Sequence, residues 1–436
     1  MTTENSTIED IAPVSKRSNL VAIAGFLIFI AFYFVSYFQR VAIPGTIFNQ
    51  LQKDFAATAF QVSMLGAGFL YVYAFMQLFA GILVDKWGTA KVIFIGAAAM
   101  TIGSFGFAWA QTYSMLLVFR VITALGASLV YLSLVREIAD VFSEKNFTVF
   151  LSIALIIGYS GGLAGTYPFE RASSVWGWRN AMLCVAVFSL LVLAVFISLL
   201  IKERKSKIAV MDISFADISK ITGNILTFPI YVTNCIAFGV YFLIQSSIGK
   251  KLLEDCFSYP SDVAASYTLV LVIASMTGSG LSGLVSRVIN NRRKPLMIAG
   301  AIFALSFSVL LIMAINGVVG NFVVLPAYIM LGLSAIGLPV GIANARELNF
   351  PKFTGTAVGF LNAGCYATVA ILITAAGSML DLFGKYAVTT DSSVAYPKNA
   401  YIAVLTMCMV VSVFSVFGSF LIKETCGINI SPVENK

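Results

Sequence analysis

The sequence predicts an all-α polytopic membrane protein with twelve transmembrane helices in two pseudo-symmetric six-helix bundles. Three observations carry this. Of 436 residues, 59% are hydrophobic and only 11% charged, against about 25% charged in an ordinary soluble domain. The apolar residues fall in twelve continuous runs, each near the roughly 20 residues that a bilayer-crossing helix needs. A polar stretch divides the runs six and six. Because the runs are continuous and do not alternate, a closed β-barrel is excluded.

The first six segments are placed at Leu20–Phe48, Phe60–Val84, Val92–Ala110, Tyr113–Val135, Phe147–Tyr167 and Ala181–Ile201. The second six are Ile225–Ile248, Val263–Val285, Leu296–Ile315, Phe322–Ala343, Thr354–Phe383 and Tyr401–Ile422. This gives a polar N-terminal tail over 1–19, a bundle over 20–201, a linker over 202–224 that opens KERKSK, a second bundle over 225–422 and a tail over 423–436. The first tail is too acidic, and too long before its apolar run, for a signal peptide.

Charge follows the same frame. Nineteen of the 28 lysines and arginines fall on the side of the termini, eight on the other, and Arg120 lies within a helix. The positive-inside rule therefore puts both termini in the cytosol, expected at a plasma (bacterial inner) membrane. The net charge of +8 is then mostly topology, and nucleic acid is not an expected partner. There is no histidine, and Cys184, Cys235, Cys256, Cys365, Cys408 and Cys426 are scattered without a CxxC. No metal, cofactor or catalytic residue is signalled. A membrane enzyme is not expected, and a monomer in the lipid bilayer is.

Two loops repeat between the halves. The one after the second helix reads GILVDKWGTAK, and the one after the eighth, GLVSRVINNRRK, begins at Gly283. Short basic loops at equivalent places suggest two related units, as in many carriers. Gly81 has no side chain, which suits close approach of a neighbouring helix. Asp85 stands where a carboxylate can accept from a helix N-terminus. Arg136, at the same membrane face, is its candidate partner. In the second copy Arg287 replaces the acid, so a symmetric arrangement is not expected. The glycines of the fifth helix, Gly158, Gly161, Gly162 and Gly165, read as a surface for helix packing.

These features resemble the major facilitator superfamily over the whole chain. The G-x-x-x-D-x-x-G-x-x-K loop is Gly81, Asp85, Gly88 and Lys91; Arg120 lies in FRVITALGAS, and Gly177–Arg179 reads GWR. The resemblance implies a transporter working by alternating access, with Gly81, Asp85, Gly88, Lys91 and Arg136 as a conformational latch.

Ionisable groups within a membrane are costly and usually functional. Arg40 and Arg120 lie well inside apolar runs, in the half remote from the termini, and no Asp or Glu falls in the interior of any predicted segment. Two buried cations without an anion invite an anionic ligand, since a guanidinium offers a planar fork to carboxylate or phosphate. The stretch YFVSYFQR, Tyr33–Arg40, partly resembles the first helix of organophosphate antiporters and anion:cation symporters. There an arginine contacts the substrate anion. With Tyr71, Tyr73 and Gln77 of the second helix it also resembles carriers of amino acids or short peptides. The expected substrate-binding set is Arg40, Arg120, Tyr33, Tyr37, Asn234, Tyr241, Asn362 and Tyr366, with Tyr159 and Gln245 as weaker lining groups. The expected ligand is a small-molecule solute, anionic in the leading reading, moved by exchange or uniport. An amino acid or short peptide is the alternative, and a transporter-like sensor a more remote one.

Overall fold

The structure, a computed structural model, describes residues 19–142, 144–200, 224–350, 354–389 and 393–430. The predicted N-terminal tail up to 18 and the linker up to 223 lie outside them, as do residues 431–436. Eleven helices are long and apolar enough to cross a membrane, and a bent pair makes a twelfth span. The chain is a multi-pass α-helical membrane protein.

The spans run as follows. The first is α1 (Asn19–Ala42) continued by α2 (Phe48–Phe55); then come α3 (Ala59–Trp87), α4 (Thr89–Trp109) and α5 (Tyr113–Val141). The fifth is α6 (Glu144–Ala164) with α7 (Tyr167–Trp176), bent by 40°. The sixth is α8 (Trp178–Leu200). In the second half, α9 (Phe228–Leu243) passes through a π turn, Ile244–Ile248, into α10 (Gly249–Phe257). There follow α11 (Ser261–Val288), α12 (Lys294–Ile315), the broken tenth span α13 (Val324–Leu333) and α14 (Gly337–Glu347), α15 (Thr354–Leu382) and α16 (Lys398–Leu421).

Local chemistry sets several ends. Pro44 has no N–H to continue the ladder of α1, which stops at Ala42 rather than running to Phe48 as predicted. Thr58 and Gln61 close a capping box on α3, and Thr112 accepts from the Met115 N–H at the start of α5. Gly88, at φ 82, makes the turn between α3 and α4 that an L side chain resists. No neighbouring helix approaches closely at Gly81: open space lies where its Cβ would be. The close approaches occur elsewhere, at Gly96 against Gly126 and at the fifth-span glycines, which pack on Tyr33, Phe34, Tyr37 and Ala42 of α1.

The seventh span corrects a sequence expectation. It continues beyond Ile248 to Phe257 and carries Lys250, Lys251, Glu254 and Asp255 inward. Hydropathy ends the apolar run at Ile248, which predicts these lysines in a loop and no acid inside a span; the structure places all four residues within the span. Glu137 is likewise buried, because α5 runs six residues past the predicted Val135 to Val141. The two seventh-span acids are tolerable there because they are paired: Lys250 Nζ lies 3.0 Å from Glu254, and Lys251 Nζ 3.3 Å from Asp255.

This cluster joins the two halves at the end remote from Asn19. Asn49 of α2 accepts from Lys251 at 2.7 Å and donates to Glu254 at 2.8 Å. Gln52 donates to the Tyr396 hydroxyl at 3.1 Å, and the Gly45 N–H to the Ser246 carbonyl at 2.9 Å. A Cβ on Gly45 would meet the Ser246 backbone at 2.7 Å, so only glycine allows that contact. Asp381 of α15 caps α3 through the N–H groups of Ala59 and Phe60 at 2.8 and 3.0 Å. The molecule is closed at this end, with α3 packed along α15 and the fifth span along α11.

At the opposite end, the chain after α16 is docked beneath the second half. Glu424 accepts from the N–H groups of Arg293 and Lys294 at the start of α12, at 2.7 and 3.0 Å, and Ile430 donates to the Glu347 carbonyl. Glu347 in turn pairs with Arg293 at 2.7 Å. Arg136 pairs with Asp140 at 3.2 Å, and Lys91 is exposed; the side chain of Asp85 lies outside the described residues.

Partial burial alone would raise the Glu424 carboxyl. The backbone N–H groups of Arg293, Lys294, Cys426 and Thr425 outweigh it and hold the group below its ordinary value of 4.5. A depressed carboxyl stabilises the fold fully above its unfolded value and loses that contribution as pH falls through the folded one. Glu424→Gln is therefore expected to lower the thermal midpoint at pH 7, by the equivalent of a helix cap at about 1 kcal/mol. It should also remove part of the stability loss between pH 5 and 3 that the wild type shows in the same thermal scans.

Candidate functional site

The site is built on one face of α1, where Tyr33, Ser36, Tyr37 and Arg40 recur at helical spacing. Arg40 is 3% exposed. Its Nη1 donates to the Tyr366 hydroxyl at 2.7 Å and its Nη2 to Ser36 Oγ at 3.1 Å, while Nε is buried without a partner. Aromatic faces surround the cation: Cζ lies 4.4 Å from the ring centre of Tyr73, 5.0 Å from Tyr37 and 5.7 Å from Tyr366. Each such contact is worth up to about 2 kcal/mol when desolvated. Among the described residues no carboxylate pairs with Arg40.

The cage draws on both halves. Tyr73 comes from α3 and Tyr366 from α15, their ring centres 4.7 Å apart. Behind them, Tyr159 of α6 faces Tyr37 at 4.9 Å and Tyr131 of α5 faces Tyr33 at 5.5 Å. From α9, Phe238 and Phe242 pack on Tyr366 at 5.4 and 6.3 Å. Tyr241 shares a hydrogen bond with Ser275 at 2.8 Å. Asn362, half-buried, lies one turn before Tyr366 on α15.

Two expected residues sit elsewhere. Asn234 packs against Gly341 of α14, with its Nδ2 buried and unpartnered. Arg120, 1% exposed, is spent on the backbone at the broken end of α1. Its Nη2 donates to the carbonyls of Gln39 and Ile43 at 3.2 and 3.3 Å, Nη1 to Gln39 Oε1 at 3.3 Å, and Nε to the Leu65 carbonyl at 3.2 Å. Of these, the Ile43 carbonyl lies past the last turn of α1 and would otherwise be buried without a donor. Phe69 covers the guanidinium, with its ring centre 4.5 Å from Cζ. Tyr71, singled out with Tyr73, instead bonds Thr374 at the seam of α3 and α15 at 3.3 Å.

Tyr131 is a site residue that hydropathy and charge do not single out. Its signal is position: eleven residues past Arg120 is three helical turns, hence the same inward side. Phe238 and Phe242 carry no polar signal at all. Gln77, one turn past Tyr73, and Gln245, on the π turn beyond Tyr241, keep buried amide groups without partners. No group of His, Cys, Asp and Glu fit to hold a metal occurs among the described residues.

Two helical halves closing over a buried cationic site at their seam define a membrane carrier. The chain belongs to the Major Facilitator Superfamily, which it matches over residues 21–374. It is a transporter that works by alternating access, not an enzyme, and its ligand is a small-molecule solute. It is similar to a probable sulfoacetate transporter of Cupriavidus necator, 21% identical over 81% of this chain and 86% of that one. It is also similar to a quinolone resistance protein of Staphylococcus aureus, 24% identical over 54% of this chain; the match spans only 58% of that relative. In fold it resembles a bacterial homologue of the human lysosomal transporter Spinster, with TM-score 0.74, 15% identity and coverage of 93% of this chain and 97% of that one. A D-xylose–proton symporter is comparable, with TM-score 0.73, 15% identity and coverage of 94% and 99%.

The two arginines should separate experimentally. Arg120→Ala strips the broken end of α1 of its donors and is expected to cost at least about 2 kcal/mol. In detergent the thermal midpoint should fall by several degrees. Arg40→Ala removes a buried cation without an ionic partner, so the midpoint should hold or rise.

Proposed function

We propose that this transporter carries a small organic anion, by exchange or uniport, and that Arg40 is the group that receives it. The observation that carries the reading is a desolvated guanidinium with a free Nε donor and no carboxylate partner among the described residues. An unpaired charge in such surroundings is costly, and an anion offsets that cost. The relative named for sulfoacetate supports an organic anion, and the Tyr33–Arg40 stretch supports the same role for the arginine.

Arg40 and Tyr366 lie on opposite halves, so an anion that takes the Nη1 donor also releases a bond between them. We infer that this release links binding to movement. The empty carrier, holding a bare cation, reorients poorly through a dry closed state; the loaded one moves readily. The acids buried in the seventh span are held in ion pairs and are not needed for the cycle. The positive-inside count supports cytosolic termini, so the closed end faces outward.

Arg40→Lys keeps the charge but loses the two-bond fork. It is expected to weaken anion binding about tenfold or more, the equivalent of roughly 1.5–3 kcal/mol for a charge-assisted bond. In proteoliposomes, labelled anion should enter faster when the vesicles hold unlabelled anion, indifferent to an imposed pH gradient. Concentrative entry into empty vesicles driven by that gradient alone would overturn exchange. Selective entry of amino acids or short peptides would favour the alternative.

For orientation, cysteines introduced at Val318 and Val288, both exposed at opposite ends, should differ in intact cells. An impermeant maleimide should label the first and spare the second; the reverse pattern would invert the topology.

A further inference from the structure

We infer that the site takes a singly charged acid bearing hydroxyl or other neutral hydrogen-bonding groups, and discriminates against doubly charged acids. This rests on the anion reading above and narrows it, and it separates this chain from the relative named for sulfoacetate, 21% identical, whose named solute is a dianion at neutral pH. Only one buried cation is available to a ligand. Arg120, the other arginine buried nearby, donates through all three of its nitrogens to the Leu65, Gln39 and Ile43 carbonyls and the Gln39 side chain. It lies sealed beneath Phe69. The buried lysines Lys250 and Lys251 are matched one to one by Glu254 and Asp255 in the closed end. Arg40 alone keeps a free donor and no carboxylate among the described residues. A second negative charge on the ligand would find no second cation, only neutral phenol hydroxyls, whose hydrogen bonds do not offset the cost of desolvating another charge in surroundings of low dielectric.

The hydroxyls of Tyr33, Tyr37, Tyr131 and Tyr159 form no hydrogen bond among the described residues, although all four rings pack together beside Arg40. A cage meant only for apolar bodies would be lined by phenylalanine. Four free phenols can each donate and accept, which suits hydroxyl, carbonyl or amide groups on the ligand. A ligand lacking such groups would leave them desolvated and unpaired, and a site built that way rejects the plainer analogue.

The test uses the purified full-length protein in detergent at pH 7.5, with binding read by calorimetry and thermal shift. Two skeleton-matched sets serve as probes. The three-carbon set is D-glycerate, propionate, tartronate and glycerol; the six-carbon set is gluconate, hexanoate, glucarate and sorbitol. In at least one set the hydroxylated monoanion should bind at least tenfold more tightly than the dianion and the neutral polyol. It should also bind several-fold more tightly than the unsubstituted acid. Tyr33→Phe and Tyr159→Phe should narrow only the last gap, with thermal midpoints unchanged. Arg40→Gln should abolish acid binding, with Arg40→Lys as a second variant that keeps the charge in place.

Dianions binding as well as or better than monoanions, and lost in Arg40→Gln, would overturn the single-charge inference and leave the anion reading standing. Equal binding of hydroxylated and plain monoanions would overturn the neutral-group part in the same way. Acid binding that survives Arg40→Gln, or no acid binding in either set, would remove the anion reading itself.

Discussion

Hydrocarbon offers a backbone no water, so each peptide group inside the membrane must find its partner within the protein. The first span shows what this constraint demands. Pro44 breaks the helix at membrane depth, and the Ile43 carbonyl, past the last turn of α1, has no helical donor. Arg120 crosses from α5 to donate to it and to the Gln39 carbonyl, and its Nε reaches α3 as well. One side chain thus fixes three spans of the first half together, and that rigid corner holds the face of α1 on which the tyrosines and Arg40 stand.

Arg40 has the opposite arrangement. It is placed by rings and by a single hydroxyl across the seam, and it keeps donor capacity in reserve. A residue satisfied on every side can only hold structure, whereas one left with an unmet donor can exchange a protein partner for a ligand. At the closed end the buried lysines are matched by acids, although Gln52 keeps an unpartnered amide oxygen. Asn49 sits between Lys251 and Glu254 and satisfies both, so the halves meet there without an uncompensated charge. Separating them would expose two ion pairs to water, which solvates them readily; the cluster can therefore part and re-form.

Much of this was legible in the residues, though unevenly. The spans and the face carrying Tyr33, Tyr37 and Arg40 follow from hydropathy and helical spacing. Span ends were harder: the seventh helix carries Lys250, Lys251, Glu254 and Asp255 inward because the four neutralise one another, and hydropathy scores each residue without its partner. Arg120 and Arg40 look alike in sequence, as lone cations in apolar runs. Only the broken end of α1, invisible without the backbone path, distinguishes a cation tied to carbonyls from one that is free.

By itself the sequence determined the class, the number of spans and the candidate arginine, because burial in lipid imposes long apolar runs and makes every exception conspicuous. The tertiary structure decided which exceptions belong together. Tyr366 lies 326 residues from Arg40 and meets it across the seam, while Asn234 turns instead toward Gly341 within its own half. Such pairings depend on how helices from distant parts of the chain rotate against one another. A periodic pattern gives the face of one helix, but only packing fixes what that face meets.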